Sequence, residues 1–221
     1  MIKYKYIAIE GNIGAGKTTL SKFLAKHLNA ALLLEEFEEN YFLKEFYKGK
    51  DFAIHSELQF ILDRSRQLSE FFSKEHQLII SDYVPQKSLI FSEMNLPINE
   101  FNIIEDLTNV LYKPFIKADL LIFIDSSSKQ LMQNIIKRAR AYERNINEDY
   151  LIKLTLCYEK WLSNLEIPVL RIKSDEINLK TPEDLTAAFK IIFSGDYQNK
   201  QREISLKNLI NSSLAEKFLL K

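Results

Sequence analysis

Five short apolar runs punctuate the chain: YIAIE (6–10), ALLLEE (31–36), LIISD (78–82), DLLIFID (119–125) and PVLRIK (168–173). Each is near-continuously hydrophobic, as strands buried on both faces are. Between them lie longer segments with apolar residues at helical spacing, predicting helices over 17–29, 52–76, 98–117, 128–142, 148–165 and 181–193. The last opens on TPED, a Thr N-cap followed by proline at the first helical position and acids in the first turn. Strand alternating with helix predicts an α/β fold of three layers, a five-stranded parallel sheet flanked by helices. After Ser194 and Gly195 a polar stretch, DYQNKQRE, leads into SLKNLINSSLAEKFLL, apolar at 206, 209, 210, 214 and 218. That spacing is helical, so the expected organisation is one domain over 1–194 and a partly helical tail over 195–221.

Composition narrows the partners. Thirty basic residues balance thirty acidic ones, so no global field recruits nucleic acid or a membrane surface, and any polyanion must be bound locally. No apolar run reaches the ~18 residues of a membrane span. The start MIKYKYIAIEG is broken by Lys3, Lys5 and Glu10, unlike a signal peptide, and the expectation is a cytoplasmic protein. The single Cys157, set in LTLCYEKWL, reads as a structural residue on the apolar side of a helix, in keeping with a reducing compartment. His27, His55 and His76 have no second ligand at metal-binding spacing and read as surface or helix-packing residues.

Chemistry enters with the glycines, three of the five lying at Gly11, Gly14 and Gly16. Gly11, Gly16, Lys17 and Thr18 satisfy G-x-x-x-x-G-K-[ST] directly after one predicted strand and at the start of a helix. The segment Gly11, Asn12, Ile13, Gly14, Ala15, Gly16, Lys17, Thr18, Thr19 is therefore expected to cradle the phosphates of ATP. Lys17 would reach the β- and γ-phosphates, and the Thr18 hydroxyl would hold Mg²⁺. A tight strand-to-helix turn that binds nothing would need one or two glycines but no Lys-Thr. The D-x-x-G and N-K-x-D signatures of a GTPase switch are absent. Asp82 is followed by Tyr83 and Asp125 by Ser126, without the second acid of an ATPase motor. Transfer to a small acceptor is the class that remains. Both acids end predicted strands, at the edge where open α/β sheets bind ligands; Asp82 is the first choice for the Mg²⁺ shell and Asp125 its competitor.

From about residue 3 to residue 193 these motifs, in this order, resemble the deoxynucleoside kinases. IEGNIGAGKTTL is similar to the family's phosphate loop, and EEFEENYFLKEFY (35–47) to the segment whose glutamate is the catalytic base. The resemblance assigns that role to Glu35, with Glu36 the alternative after a one-residue slip. FAIHSELQFILDRSRQL (52–68) resembles the helix whose Gln and Arg read the nucleobase; Arg64 matches the Arg, but Glu57 stands where the family has Gln. Asp82 matches the acid of the Asp/Glu-Arg-Ser motif, whose Arg is replaced by Tyr83, leaving Lys87 to take over its function. KRARAYER (137–144) looks like the arginine-rich lid, with Arg138 and Arg140 as catalytic cations and Glu143, together with Tyr47, near the sugar. The resemblance further implies a homodimer packed through helices.

The residues carry a reading of their own beside this. Arg138 and Arg140, two apart near a helix end, can put charge on a transferring phosphoryl group, or can be ordinary solvated arginines. The acids from Glu35 to Glu39 can be a base and its neighbours or a solvated acidic loop. Glu57 and Arg64, seven apart, share one helix face and bracket roughly 10 Å, room for a planar base, unless the helix is simply exposed. An ionised Glu57 accepts hydrogen bonds, which favours the amino groups of adenine and cytosine, so deoxyadenosine leads and deoxycytidine follows. The competing functions are a nucleoside monophosphate kinase of the thymidylate kinase type and a non-catalytic nucleotide-binding regulator.

Overall fold

A computed structural model describes residues 4–176, 185, 186, 192 and 201–204. The five predicted strands form as β1 (Tyr6–Gly11), β2 (Ala31–Leu33), β3 (Ile79–Ser81), β4 (Leu120–Asp125) and β5 (Val169–Lys173), all parallel. A sixth strand, β6 (Gln201–Ile204), continues the parallel sheet beyond β5, with Val169 opposite Gln201. It arises in the stretch expected to be polar tail. The sheet order is β2-β3-β1-β4-β5-β6. With β1 between β3 and β4, connections depart to either side of it and leave a crevice at the carboxyl ends of the central strands, where such sheets bind ligands.

Period-two alternation sends the residues of β1 to two cores. Ile7 and Ile9 pack with Leu20 and Leu24 of helix α1 (Lys17–Leu28) and with Leu131 and Ile135 of helix α6 (Ser128–Arg138). Tyr6 and Ala8 face the other way, onto Ile90 of α4 (Lys87–Asn95) and Leu154, Tyr158 and Leu162 of α7 (Glu148–Ser163). Cys157 packs partly buried on this second face, as its setting predicts. A third cluster joins Ile61 and Leu68 of α3 (Ala53–Phe72) to Ile104 and Tyr112 of α5 (Ile98–Tyr112), with Leu33 and Tyr83 beneath. His27, His55 and His76 lie against Phe23, Phe42 and Phe71 respectively.

Differences from the sequence pattern have local causes. Helix α5 stops at Tyr112; its C-cap Lys113 still has helical angles (φ -51, ψ -38), but Pro114 after it has no N–H with which to continue the ladder. Helix α6 stops at Arg138 because Ala139 turns left-handed (φ 56, ψ 36) and its N–H closes on the Ile135 carbonyl. A 3-10 turn, Ala141–Glu143, follows. Two short helices were not anticipated, α4 and α2 (Tyr41–Phe46); in the latter the Asn40 side chain accepts from the Leu43 N–H. Strand β2 ends at Leu33, where the Asp82 N–H takes its last carbonyl, and the chain then turns into the crevice. Of the predicted helix at 181–193 only Leu185, Thr186 and Ile192 are described, all helical; the pattern at 206–218 lies outside the described residues. No helix among the described residues is long and apolar enough to cross a membrane.

Candidate active site

At the carboxyl ends of the central strands lies a cavity of about 670 Å³, bounded by the β1–α1 loop, the segment after β2, helices α3 and α4, and the α6–α7 connection. Gly11 closes β1 so tightly that a Cβ there would stand 2.7 Å from the Ile124 carbonyl of β4. Gly16 caps α1 at φ 99, where only glycine is unstrained. Between them the loop wraps back on itself. Lys17 Nζ donates to the carbonyls of Gly11 (2.7 Å) and Asn12 (3.0 Å), and burial, aided by the nearby Lys87 charge, lowers its pKa to about 8. Ile13, Gly14, Ala15, Gly16, Thr18 and Thr19 line the cavity with it. Gly11 and Asn12, expected among the phosphate-wrapping residues, do not. The Asn12 side chain turns away, donating to the Leu151 carbonyl and Thr155 Oγ1 of α7, both at 2.8 Å, and so anchors the loop.

Thr18 Oγ1 donates to Asp82 Oδ2 at 2.6 Å, and Asp82 Oδ1 accepts the Glu35 N–H at 2.7 Å. Burial raises the Asp82 pKa despite these bonds. Asp125 instead faces Arg171 at 3.7 Å and does not line the cavity. Hydroxyl plus carboxylate is a hard-oxygen pair of the kind Mg²⁺ uses alongside phosphates and water. No group of three or more His, Cys, Asp or Glu suited to a metal occurs among the described residues.

Glu35 projects into the cavity and is gripped from two sides, by Arg64 Nη2 and by Lys87 Nζ at 2.5 Å. Burial alone would raise its pKa, but Lys87 and Arg64 outweigh it and hold the carboxyl at about 2. Glu36 points outward to Arg66 at 3.2 Å and is exposed. Tyr83, in the position of the family's arginine, is fully buried, its hydroxyl donating to Gln67 Oε1 at 2.7 Å. The second cation on Glu35 is thus Lys87, the first residue of α4.

Arg64 also donates through Nη1 to Ser88 Oγ, while its Nε has no partner, and its Cζ lies 4.6 Å from the Phe60 ring centroid. Glu57 lies on the same buried face of α3, lining the cavity at 6% exposure. Burial drives its pKa up to about 7, against the pull of the Arg64 charge and the nearby Ser88 hydroxyl. This amends the expectation of a simply ionised Glu57. Across the cavity Arg138 makes a two-pronged pair with Glu143, Nη2 at 2.7 Å and Nε at 3.1 Å. Arg140 reaches the same carboxylate at 3.3 Å and covers the Phe37 ring at 4.4 Å. Tyr47 stacks on Tyr142, and burial raises its pKa well above the ordinary value.

Phe60, Phe91, Asn95 and Tyr150 also line the cavity and escaped the sequence reading. Phe60 falls between Glu57 and Arg64 at helical spacing and was within reach of the pattern. Phe91 and Asn95 follow Lys87 at intervals of four and become visible only once α4 is recognised as a helix.

The model of the deoxynucleoside kinase family matches residues 7–192. The chain is 34% identical over 179 residues to the deoxyguanosine kinase of Bacillus subtilis (strain 168), a match spanning 77% of this chain and 86% of that protein. It is 32% identical over 206 residues to the deoxyadenosine kinase of Dictyostelium discoideum, spanning 84% and 78% respectively. Among solved structures it is similar to a deoxyadenosine kinase from M. mycoides with the products dCMP and a flexible dCDP bound, at TM-score 0.73 and 26% identity over 86% of this chain and all (100%) of that one.

Proposed function

The chain belongs to the deoxynucleoside kinase family, whose members are ATP-dependent phosphotransferases, and on that premise we propose that it moves the γ-phosphoryl group of ATP to the 5′-hydroxyl of a deoxynucleoside in nucleotide salvage. The observation that carries this reading is Glu35, an acceptor carboxylate held between Arg64 and Lys87 in the same cavity as the phosphate loop. Phosphoryl transfer needs an alcohol oxygen in line with phosphorus and positive charge on the equatorial oxygens, with little covalent help. Lys17, Arg138 and Arg140 supply that charge. Glu35, kept anionic, orients the 5′-hydroxyl by accepting its hydrogen bond and takes its proton as the new O–P bond forms. Bound Mg²⁺ would neutralise the phosphate tail, with Thr18 and Asp82 as the residues holding it.

On the acceptor side Glu57 and Arg64 flank Phe60, a slot for a base edge. An ionised Glu57 accepts from an amino group, which favours deoxyadenosine and then deoxycytidine. Glu143 and Tyr47 lie where the sugar would sit. Two carboxylates on this side suit a neutral nucleoside better than a nucleoside monophosphate. Exposed Ile103 and Val110 on α5, and Ile152 and Leu156 on α7, support a homodimer packed through helices, and the single cysteine is in keeping with a cytoplasmic location. A coupled ADP-release assay over the four deoxynucleosides, run with wild type and Glu35→Gln, tests the reading. Acceptor-dependent turnover that disappears in the variant while ATP still binds is the expected result; no turnover with any deoxynucleoside refutes it.

A further inference from the structure

Glu57 is buried, lines the cavity and shares a face of α3 with Arg64. A guanidinium only donates, and Arg64 spends one donor, Nη1, on Ser88 Oγ. As an anion the Glu57 carboxyl only accepts hydrogen bonds; as a neutral acid it can donate one. The nucleobases differ in this same respect. Adenine and cytosine present an exocyclic amino donor where guanine presents a keto acceptor.

We propose that Glu57 reads the base through its own protonation: the anion accepts from the amino group of adenine, the neutral acid donates to the keto oxygen of guanine, and one site serves both purine deoxynucleosides in a ratio set by pH. This rests on the deoxynucleoside kinase reading and extends it to a second substrate. A buried acceptor left facing another acceptor is costly, so the anion rejects guanine, which only the neutral acid can serve. The elevated Glu57 pKa of about 7 keeps both forms populated near neutrality.

The charged and titratable groups facing Glu57 are Arg64 on its own helix, Glu35 after β2, Lys87 on α4, Tyr112 on α5, and Tyr47 and Tyr150 across the cavity. Glu35 is held at about 2, while Arg64, Lys87 and all three tyrosines are pushed upward, so none of them changes charge near neutral pH. Lys17, lowered to about 8, does titrate nearby. It lies in the phosphate loop, serves both acceptors equally and cancels in their ratio.

The test measures kcat/KM for deoxyguanosine and deoxyadenosine from about pH 6 to about pH 8.5, with wild type and Glu57→Gln. In wild type the deoxyguanosine-to-deoxyadenosine ratio should fall as pH rises above neutrality, approaching about tenfold per pH unit, the limit for one linked proton. In Glu57→Gln the ratio should be flat, because an amide offers donor and acceptor at every pH. A flat wild-type ratio, or the same slope in the variant, overturns the proposal. Titration calorimetry on wild type at about pH 8, in two buffers of different ionisation enthalpy, gives an answer that needs neither the variant nor turnover. Deoxyguanosine should bind with proton uptake and deoxyadenosine without it; equal proton counts overturn the proposal. A chain that binds both nucleosides but phosphorylates neither refutes the kinase reading, while the proton counts still decide the role of Glu57.

Discussion

Glu35 and Glu57 line one cavity, yet their surroundings drive them in opposite directions. Glu35 falls from the ordinary 4.5 to about 2, so the stability it contributes is complete above about 4.5 and is lost as pH drops toward 2. Glu57 rises from 4.5 to about 7; between those values the folded state binds more protons than the unfolded one, so stability declines as pH climbs through that window. Urea midpoints measured at about pH 5 and about pH 7.5 should therefore fall with pH, by up to the order of 3 kcal/mol from this residue. Glu57→Gln should flatten the trend; an unchanged slope would count against a buried, proton-rich Glu57. Lys87→Met removes one of the two cations on Glu35 and should lower kcat at least tenfold and destabilise by about 1–3 kcal/mol, with Lys87→Arg restoring most of both. Equal damage from the two substitutions would show that charge on Glu35 is not what Lys87 supplies. Asp82 was readable from its strand-end position, whereas Lys87 reaches Glu35 only because Pro85 and Gln86 are followed directly by a helix that no periodicity over nine residues announces.

At the scale of elements, the strands were legible because a parallel sheet covered on both faces demands unbroken apolar runs. The short helices were not, since α2 and α4 are held by packing and a single cap rather than by an amphipathic pattern. Helix ends obeyed particular residues, Pro114 after α5 and left-handed Ala139 after α6, and the latter directs Arg138 and Arg140 toward the common carboxylate of Glu143. Arg138→Ala should cost 10²–10³-fold in kcat, roughly what one preorganised charge donor is worth, with a smaller change in KM for ATP. A rise in KM alone would assign it to binding. Asn12→Ala unties the phosphate loop from α7 and leaves the Ile13 N–H without the acceptor it now has at 2.7 Å. KM for ATP should rise several-fold with kcat nearly constant, and the loss of stability should be about 1–3 kcal/mol.

For the whole molecule, a site at the carboxyl ends of the strands was legible from the motif after β1 and the strand-end position of Asp82, but the sheet's far edge was not. A polar stretch supplies β6, whose backbone covers the open edge of β5. Composition hid it because an edge strand needs ladder bonds more than apolar side chains. Ending the chain after Gly195 should lower Tm by roughly 4 °C or more and promote association through the exposed edge. A truncated chain as stable and monodisperse as the full one would show that β6 adds nothing to the fold. The central position of β1 has a consequence for how the chain is made. On leaving the ribosome β1 finds one neighbour at residues 79–81 and the other only at 120–125, so its hydrogen-bonding partners are still unmade while its own apolar residues wait. The nucleotide cradle cannot close until residues 120–125 have been made, and the nascent chain spends that interval dependent on whatever shelters the apolar residues of β1.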